Sequence, residues 1–380
     1  MGSAGFAYSG ELDSRNERMM NSNQKRALYV MGQPCSSSAK KAGHKTAFTN
    51  LARLAKDYLV DVVVLCGEGE VEELKIEPVP VGSVDVMPVS KFGKILAVVR
   101  GAAFGLPPRF ATRYSWTAER RLRKRLMEGQ YDLVWLEFHQ VYWVSELVPS
   151  IGQRRETVVL SSHDIVSQVV ARKDWREQVF MLGWTYRYEK QLFRRADVVG
   201  VPSEKDLELV RIFFDVSTGK LLPPPLSGFV YAVKRSEENI KPYSLLFWGA
   251  MDRGENHDAI IWFIDMVMPG LIRRFPDLKL YVVGANPRNA LKALSSDSIV
   301  VTGYIEDPSE YFESCSLGIV PLIEGAGIKV KTLEMLQAGI PVVSTPVGAE
   351  GIPRSDLLTI SDGNGFGDQI TGRWLARLGR

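Results

Sequence analysis

Short apolar runs alternate with segments of helical periodicity along the first half of the chain. Between the first two runs, residues 46–58 place Phe48, Leu51 and Leu54 on one helical face. A strand, a helix and a second strand in this order form a βαβ unit, and such units build a parallel sheet. The strands expected in this half are 26–31, 60–66, 132–136, 157–160 and 197–201.

The same alternation restarts in the second half. A helix is expected over 258–275, where Ile261, Ile264 and Val267 recur at helical spacing. The apolar runs between helical segments are nearly continuous, which indicates a sheet covered by helices on both faces. The strands expected here are 244–248, 278–283, 298–302, 317–322 and 340–344.

A break at residues 218–242 separates the two halves. Its run 221–226 contains three consecutive prolines, which neither a helix nor a central strand accepts. We therefore predict an α/β fold of two doubly wound, Rossmann-like domains that face each other across a cleft. Ligands of such sheets bind at the carboxyl ends of the strands. The expected parts are a disordered leader at 1–24, an N-terminal domain at 25–226, a linker at 227–242, a C-terminal domain at 243–365, and a short helix at 366–380 able to return to the first domain.

Composition is that of a globular protein that does not bind nucleic acid. The 380 residues are 45% hydrophobic and 24% charged, with a formal net charge of +3. Cys35, Cys66 and Cys315 lie far apart and follow no metal-binding or disulfide spacing, which fits a reducing cytosol. No apolar run approaches the roughly 20 residues of a transmembrane helix. We expect a cytoplasmic protein.

Positive charge is concentrated in residues 91–125, which hold ten basic residues and one acidic residue, Glu119. Aromatic side chains, including Phe92, Phe104 and Trp116, are interspersed among the charges. A basic, aromatic-bearing segment is suited to an anionic membrane surface or to a pyrophosphate-linked lipid. The alternative is a solvated helix face followed by a loop. We favour peripheral contact with the inner face of a membrane.

Residues 325–334 are a glycine-rich loop that leads into a short helix. A helix N-terminus offers backbone N–H groups and a partial positive charge, and both suit a phosphate. Lys329 and Lys331 add full charges, and Glu334 can accept hydrogen bonds from sugar hydroxyls. This arrangement predicts a sugar-nucleotide site.

A second candidate loop, 248–259, follows the first strand of the second domain and emerges on the same side of the sheet. Gly249 allows the backbone to approach a ligand, Arg253 can reach a diphosphate, and Asn256 is a candidate N-cap for the next helix. An ordinary loop with a solvated arginine is the alternative. The combination with 325–334 favours donor binding.

The first domain contributes polar residues after its strands. His163 can exchange a proton with a sugar hydroxyl from the cleft, and Asp164 follows it. A structural histidine that caps its loop is an equally good interpretation. His139 ends the preceding strand and could line the same cleft, so it and Asp164 are acceptor-side candidates. His44 lies in the first βα loop and is a weaker acceptor-side candidate than His163. Glu137 belongs to a strand, so packing or a buried hydrogen bond is expected for it.

Several chemistries lack their motifs. No Asp-x-Asp pair is present to hold Mg²⁺ or Mn²⁺, and no GxSxG, P-loop or HExxH occurs. No GxGxxG follows the first strand, since Gly32 is succeeded by Gln, Pro and Cys. This weakens a dinucleotide-dependent oxidoreductase. No metal site and no cofactor are predicted, since a nucleotide-sugar is a substrate.

The run Gly-Ala-Gly-Ile-Lys-Val-Lys-Thr-Leu-Glu at 325–334, continuing to 351, resembles the donor-binding signature of the group 1 (family 4) glycosyltransferases of the GT-B fold. The segment from 188 to 206 is similar to the end of that family's first domain. The resemblance implies transfer of a sugar from a nucleotide-sugar to a glycan, lipid-linked or small-molecule acceptor, with retention and without metal, in polysaccharide or glycoconjugate synthesis.

Residue roles follow from the same resemblance. Glu334 would bind the nucleotide ribose, Arg253 and Lys329 would neutralise the departing diphosphate, and His163 would contact the transferred sugar. The backbone-bearing donor residues would be Gly249, Gly325, Gly327 and Ile328.

The chain departs from the family at Ala326, where a second glutamate is common. Either Glu324 substitutes from the loop, or backbone groups hold the sugar. The chain also ends soon after Gly365, which leaves room for only a short C-terminal helix. A nucleotide-sugar epimerase and a non-catalytic sugar-nucleotide-binding protein remain as alternatives, and the presence of Glu334, Lys329 and Arg253 favours an active enzyme.

Overall fold

The computed structural model describes residues 24–39, 41–149 and 156–377. Of the predicted leader, residues 1–23 lie outside this range, as do residues 378–380 of the predicted C-terminal helix. Within the described residues, the strands form a seven-stranded and a six-stranded parallel sheet. The predicted α/β fold with two doubly wound domains is confirmed.

The first sheet has the strand order β3-β2-β1-β4-β5-β6-β7. Its order reverses between β1 and β4, so their carboxyl ends flank a crevice. The strands are β1 Arg26–Met31, β2 Leu59–Val64, β3 Ser83–Val86, β4 Leu133–Glu137, β5 Thr157–Ser161, β6 Val198–Val201 and β7 Gly219–Leu221.

Helices cross over between these strands. Serine N-caps begin several of them: the hydroxyl oxygens of Ser90, Ser115 and Ser203 each accept a hydrogen bond from a backbone N–H three residues on. The helices are α1 Ala42–Leu54, α2 Lys91–Ala103, α3 Pro108–Ala111, α4 Trp116–Gly129, α5 Val166–Ala171, α6 Trp175–Arg195 and α7 Glu204–Ile212, with 3₁₀ segments at Glu68–Glu73 and His139–Leu147.

The second sheet has the order β10-β9-β8-β11-β12-β13, with its reversal between β8 and β11. Its strands are β8 Lys241–Trp248, β9 Lys279–Val283, β10 Ile299–Gly303, β11 Cys315–Val320, β12 Val342–Ser344 and β13 Leu358–Ile360. Its helices are α8 Gly254–Trp262, α9 Met268–Arg274, α10 Asn289–Lys292, α11 Ser309–Ser314, α12 Val330–Gln337 and α13 Phe366–Arg377, and short 3₁₀ turns lie at Gly228–Tyr231 and Glu237–Asn239.

Three strands of the described chain are not predicted by the pattern of apolar runs: β3, β7 and β13. β7 and β13 have only three residues each, and β3 is largely half-exposed, so none forms a buried apolar run. The predicted helix over 258–275 begins four residues earlier, at Gly254, and joins α9 through a π-helical turn at Phe263–Val267.

Each sheet is buried on both faces, as the near-continuous apolar strands predict. Along β1, Leu28 and Val30 pack in one core, whereas Tyr29 and Met31 pack in the core on the opposite face. The second sheet shows the same division between two clusters. Its helices therefore leave the carboxyl edges of the strands as the place for a ligand.

The C-terminal helix α13 packs on the second domain. Its side chains Phe366, Ile370 and Trp374 lie in the same core as β8 and β9. The apolar face of α13 is thus used within its own domain. Among the described residues, no helix is both long and apolar enough to cross a membrane.

Candidate active site

Glycines shape the carboxyl edge of the second sheet. Gly249 follows β8 with φ +150°, and Gly284 follows β9 with φ +146°. A Cβ added to Gly284 would lie 1.8 Å from the carbonyl oxygen of Gly249, so no larger residue fits there. The predicted role of Gly249 in backbone approach is consistent with this geometry.

Lys331 is a half-buried cation beside this glycine pair. A Cβ on Gly249 would lie 3.2 Å from its Nζ. The ammonium donates to Oδ1 of Asn256 and lies 4.9 Å from the ring centroid of Phe247. Burial, followed by the charge of Arg253, lowers the pKa of Lys331 to about 7. An ammonium with one neutral hydrogen-bond acceptor in a concave site is suited to an anion.

Asn256 has a different role from the one predicted. Arg253, not Asn256, is the N-cap residue of α8. Asn256 is buried, donates to the carbonyl oxygen of Ala250 at 2.7 Å and accepts from Lys331. It therefore positions the lysine. The sequence signal for this role was weak, because an asparagine at the start of a helix is more often a cap.

Arg253 extends from the loop toward solvent. Its side chain is 64% exposed and forms an ion pair of 2.5 Å with Glu255. The guanidinium can rotate toward a ligand at small cost, because an exposed ion pair contributes little. It stays a candidate diphosphate ligand at the mouth of the site.

Glu334 is buried, and both of its carboxylate oxygens accept hydrogen bonds. Oε2 accepts from the indole N–H of Trp248 at 2.7 Å, and Oε1 accepts from the backbone N–H of Ser227 at 3.0 Å. Each oxygen retains a lone pair for a ribose hydroxyl. The carboxylate thus also joins helix α12 to the linker, which sequence reasoning did not foresee.

The glycine-rich loop is held by Lys329. Its Nζ donates to the carbonyl oxygens of Gly327 at 2.6 Å and Ala326 at 3.0 Å. Gly327 has φ +71°, and a Cβ there would lie 2.0 Å from Oδ1 of Asp164 in the first domain. The two domains are therefore in contact at this loop, and Lys329 stabilises its conformation as well as adding charge.

Glu350 forms an ion cluster between the domains. Its carboxylate binds Arg172 at 2.5 and 2.6 Å, bonds Lys205, and lies 3.8 Å from Lys329. Arg172 also donates to the carbonyl oxygen of Gly325 at 2.8 Å. Burial by itself would raise the pKa of Glu350. The contacts with Arg172 and then Lys205 outweigh that effect and hold the pKa below its usual range. The cluster therefore joins the two domains.

Glu324, the candidate substitute for a carboxylate at position 326, lies at the surface. Glu324 is exposed, whereas Ala326 is half-buried beside the loop carbonyls that Lys329 binds. Glu350 is the carboxylate that lies next to Lys329. It was missed because it lies in the loop after β12, where sequence spacing gives no hint of a contact with Lys329.

His163 is positioned by Glu137, the last residue of β4. Nε2 of His163 lies 2.5 Å from Oε1 of Glu137, and the imidazole stacks on Phe138 with centroids 4.2 Å apart. The helix after this loop is anchored by Glu189, whose carboxylate accepts from the backbone N–H groups of Val166 and Ser167. The predicted cleft position of His163 is consistent with this geometry, and Glu137 is its partner.

The other first-domain candidates differ in their surroundings. Burial raises the pKa of Asp164 to about 6, so this carboxyl, which touches the donor loop, can hold a proton near neutral pH. His44 is buried, with Nε2 3.2 Å from Gln33 and Nδ1 3.4 Å from Glu73. It packs beneath the loop rather than presenting a free nitrogen, since both of its ring nitrogens are engaged.

His139 packs edge-on against Phe110, with centroids 5.7 Å apart. Burial and then the charge of Arg109 lower the pKa of His139 to about 3, so the ring is neutral. Its visible contact is thus with α3 of the basic segment. The acceptor-side role of His139 stays a prediction.

A separate pocket of about 510 Å³ lies at the opposite edge of the second sheet, lined by residues that include Arg235, Ser316 and Trp374. Its lining precedes the strands rather than following them. Because ligands of doubly wound sheets bind at the carboxyl ends, we place the site at the switch points and not in this pocket.

Two family models match the chain. One, described as Glycosyl transferases group 1, covers residues 242–371. The other, described as Glycosyltransferase Family 4, covers residues 42–221. An uncharacterized 44.6 kDa protein in the cps region of Klebsiella pneumoniae is 26% identical over 242 residues, which are 61% of each chain. The match thus spans less than two thirds of that relative's length.

Solved structures share the two-domain arrangement. Anabaena HepE in complex with UDP is 13% identical with a TM-score of 0.62, covering 93% of this chain and 90% of that one. Sucrose-phosphate synthase from Thermosynechococcus elongatus is 15% identical with a TM-score of 0.63 at the same coverage. WaaG, a glycosyltransferase involved in lipopolysaccharide biosynthesis, is 15% identical with a TM-score of 0.56, covering 92% and 90%. The predicted GT-B fold is confirmed.

Proposed function

The chain belongs to the group 1 glycosyltransferases, and from that premise we propose that it transfers a sugar from a UDP-sugar to a carbohydrate or lipid-linked acceptor. We place this reaction in polysaccharide or lipopolysaccharide-type synthesis, and we propose retention at the anomeric carbon without a metal ion. HepE, solved with UDP, supports the choice of base. The cps-region relative and WaaG support the pathway class.

The observation that carries the proposal is the half-buried ammonium of Lys331 beside Gly249. When the sugar leaves, negative charge develops on the diphosphate, and a preorganised cation in a water-poor site stabilises it. Arg253 would close over the outer phosphate, and Lys329 would support the loop that covers the sugar. These cations supply the role that a metal ion has in other transferases.

Retention follows from the family resemblance, and the acceptor would approach from the first-domain side. His163 faces the cleft there, and Asp164 touches Gly327 of the donor loop. A nucleotide-sugar epimerase would use the same donor contacts without an acceptor. The two are distinguished by whether the sugar appears on a second molecule.

We expect UDP-sugars, but not GDP- or dTDP-sugars, to raise the melting temperature of the protein. A ligand at 100 times its Kd stabilises the folded state by about 2.7 kcal/mol, which corresponds to a shift of several degrees. UDP release with an acceptor should persist in excess EDTA. Equal shifts with all three nucleotides would reject the base assignment, and loss of turnover in EDTA would reject the metal-independent reaction.

The same enzyme would work at an anionic membrane, and the structure adds a surface to the basic segment. On α2, Phe92, Ile95 and Val99 lie on one helical face and are 63–74% exposed. Phe104, at the end of the helix, is 59% exposed. Basic residues flank this face. Not every cation there is free, since Arg113 is buried and bonds Glu70 and the carbonyl of Gly32.

A second element extends this face. The indole N–H of Trp184 in α6 donates to the carbonyl oxygen of Gly105 at 2.8 Å, which joins α6 to the end of α2. Phe180, one turn before Trp184, is 76% exposed, and Val179 is 69% exposed. We call the joint surface of α2 and the start of α6 the α2–α6 surface. Its rings would insert between lipid headgroups while the lysines and arginines bind anionic lipids.

Replacing both Phe92 and Phe180 by serine should weaken binding to phosphatidylglycerol-containing vesicles by tenfold or more, because two exposed aromatic rings no longer enter the bilayer. Cosedimentation measures it. Met266→Ser is the matched control, because Met266 is 70% exposed in the second domain. Binding that is unchanged in the double variant, or equally reduced in the control, would contradict this surface, as would binding that raised salt does not weaken.

A further inference from the structure

We propose that Glu137 is a positioning residue that sets the tautomer of His163, so that the imidazole accepts a hydrogen bond from a sugar hydroxyl in the cleft. This inference deepens the proposed function and rests on it for the identity of the hydroxyl. The proton placement itself is a property of the unliganded protein. It can therefore be tested separately.

The carboxylate of Glu137 is fully buried and surrounded by donors. Oε2 accepts from the phenol of Tyr29 at 2.8 Å and from the indole of Trp135 at 2.6 Å. Oε1 accepts from the hydroxyl of Ser161 at 3.0 Å and lies 2.5 Å from Nε2 of His163. The amide of Asn50 reaches both oxygens at 3.3 Å. Such a shell of donors suits an ionised carboxylate.

The proton on the Glu137–His163 contact must come from the histidine. These hydrogen bonds hold the pKa of Glu137 below its usual range, against the effect of burial, so the carboxylate is ionised and can only accept. Nε2 of His163 therefore carries a proton. In the neutral ring, Nδ1 is then left with its lone pair.

Nδ1 is the ring nitrogen available to a ligand. Among the described residues it has no hydrogen-bond partner, and a Cβ on Gly43 would lie 3.5 Å from it. Stacking on Phe138 fixes the ring plane, and the side chain is 18% exposed. The backbone carbonyl of His163 lies against Gly327 of the donor loop. A lone pair at this place accepts from a hydroxyl, and it repels a group that can only accept.

Trp135 determines how a glutamine at position 137 would orient its amide. Its indole nitrogen can only donate, whereas the hydroxyls of Tyr29 and Ser161 can reorient. In Glu137→Gln, the amide oxygen would therefore face Trp135 and the amide N–H₂ would face His163. The histidine would be forced to accept at Nε2 and to carry its proton at Nδ1, which is the wrong tautomer for a sugar hydroxyl.

The experiment is ¹⁵N NMR of the histidine side chains in the full chain, with His163→Gln used to assign the signals. We expect the Nε2–H tautomer in the wild type and the Nδ1–H tautomer in E137Q. Turnover by E137Q should fall 10- to 100-fold. Adding Trp135→Phe to E137Q should restore part of the turnover and part of the Nε2–H population, since the glutamine amide can then rotate. W135F alone should change neither the tautomer nor turnover by more than about twofold.

Two outcomes would overturn the proposal. One is an Nδ1–H tautomer in the wild type. This measurement does not depend on the folding of any variant. The other is an E137Q protein that loses turnover while its tautomer stays Nε2–H, because the residue would then be structural only. If UDP-sugars are not substrates at all, the proposed function fails, but the NMR result still decides the positioning role.

Discussion

Replacing Lys331 by methionine should lower kcat/KM for the UDP-sugar by about 10²- to 10³-fold while making the protein more stable. Methionine has a similar length and no charge, so it fills the space beside Phe247 without an ammonium to desolvate. The transition state loses its half-buried cation. The folded state loses a group that burial disfavours. Opposite signs for activity and stability are the mark of a functional, half-buried charge.

The stability gain should depend on pH with a defined sign. The pKa of Lys331 is about 7 in the folded protein and near 10.5 in the unfolded chain, so the unfolded state binds more protons between these values. The penalty for burying the ammonium is therefore fully present below pH 7 and disappears as pH rises toward 10.5. It is on the order of 1 kcal/mol per pKa unit. The difference between variant and wild type should shrink over that range.

Urea unfolding at pH 6, 8 and 10, together with UDP-sugar turnover, measures both effects. Lys331→Arg retains the charge and serves as the control for steric change. A K331M protein that is both inactive and less stable would mean that the lysine supports the fold rather than the donor. Wild-type turnover would remove Lys331 from the site.

Replacing Glu334 by glutamine should cost both stability and donor affinity, and the two losses should be separable. Trp248 and the backbone of Ser227 are obligatory donors to the two carboxylate oxygens. Glutamine has one oxygen, so its N–H₂ must face one of these donors. A buried donor without an acceptor costs about 1–3 kcal/mol. Loss of a charged acceptor for the ribose should weaken UDP binding by about 10- to 100-fold.

A double-mutant cycle with Trp248→Phe separates the losses. Phenylalanine removes the indole N–H, so glutamine can turn its amide toward that side without conflict. We expect E334Q to cost less stability in the W248F background, with UDP affinity still low. Calorimetry gives the affinity and urea unfolding the stability. Additive stability losses would contradict the hydrogen-bond account, and wild-type UDP affinity in E334Q would exclude Glu334 from the ribose site.

Much of the fold follows from the apolar pattern, because a strand covered on both faces must be apolar throughout its length. The missed strands β3, β7 and β13 are short or exposed at sheet edges, where burial places little demand on sequence. The apolar pattern also did not predict which domain α13 packs against. Its apolar face predicts burial, but only the folded chain shows that the second domain covers it.

The glycine-rich loop 325–334 also combines features that the sequence predicts with contacts that only the folded chain shows. Glycines at 325 and 327, the lysines and Glu334 predict a sugar-nucleotide site from sequence, because these residue types in that order suit a phosphate and a ribose. The hydrogen bonds that define their roles come from elsewhere in the chain. Asn256 binds Lys331, and Ser227 binds Glu334.

By itself, the sequence determined that this protein has two parallel-sheet domains, and it predicted a sugar-nucleotide site in the glycine-rich loop 325–334. Periodicity and local motifs carry that information, since both depend on neighbouring residues. Only the tertiary structure decided that Glu137 bonds His163 and that Glu350 joins the two domains. Those partners are 26 residues apart in one case, and 178 residues apart for Arg172 and Glu350 in the other. Charged pairs at such separations are selected by the fold that brings them together, and no local pattern encodes them.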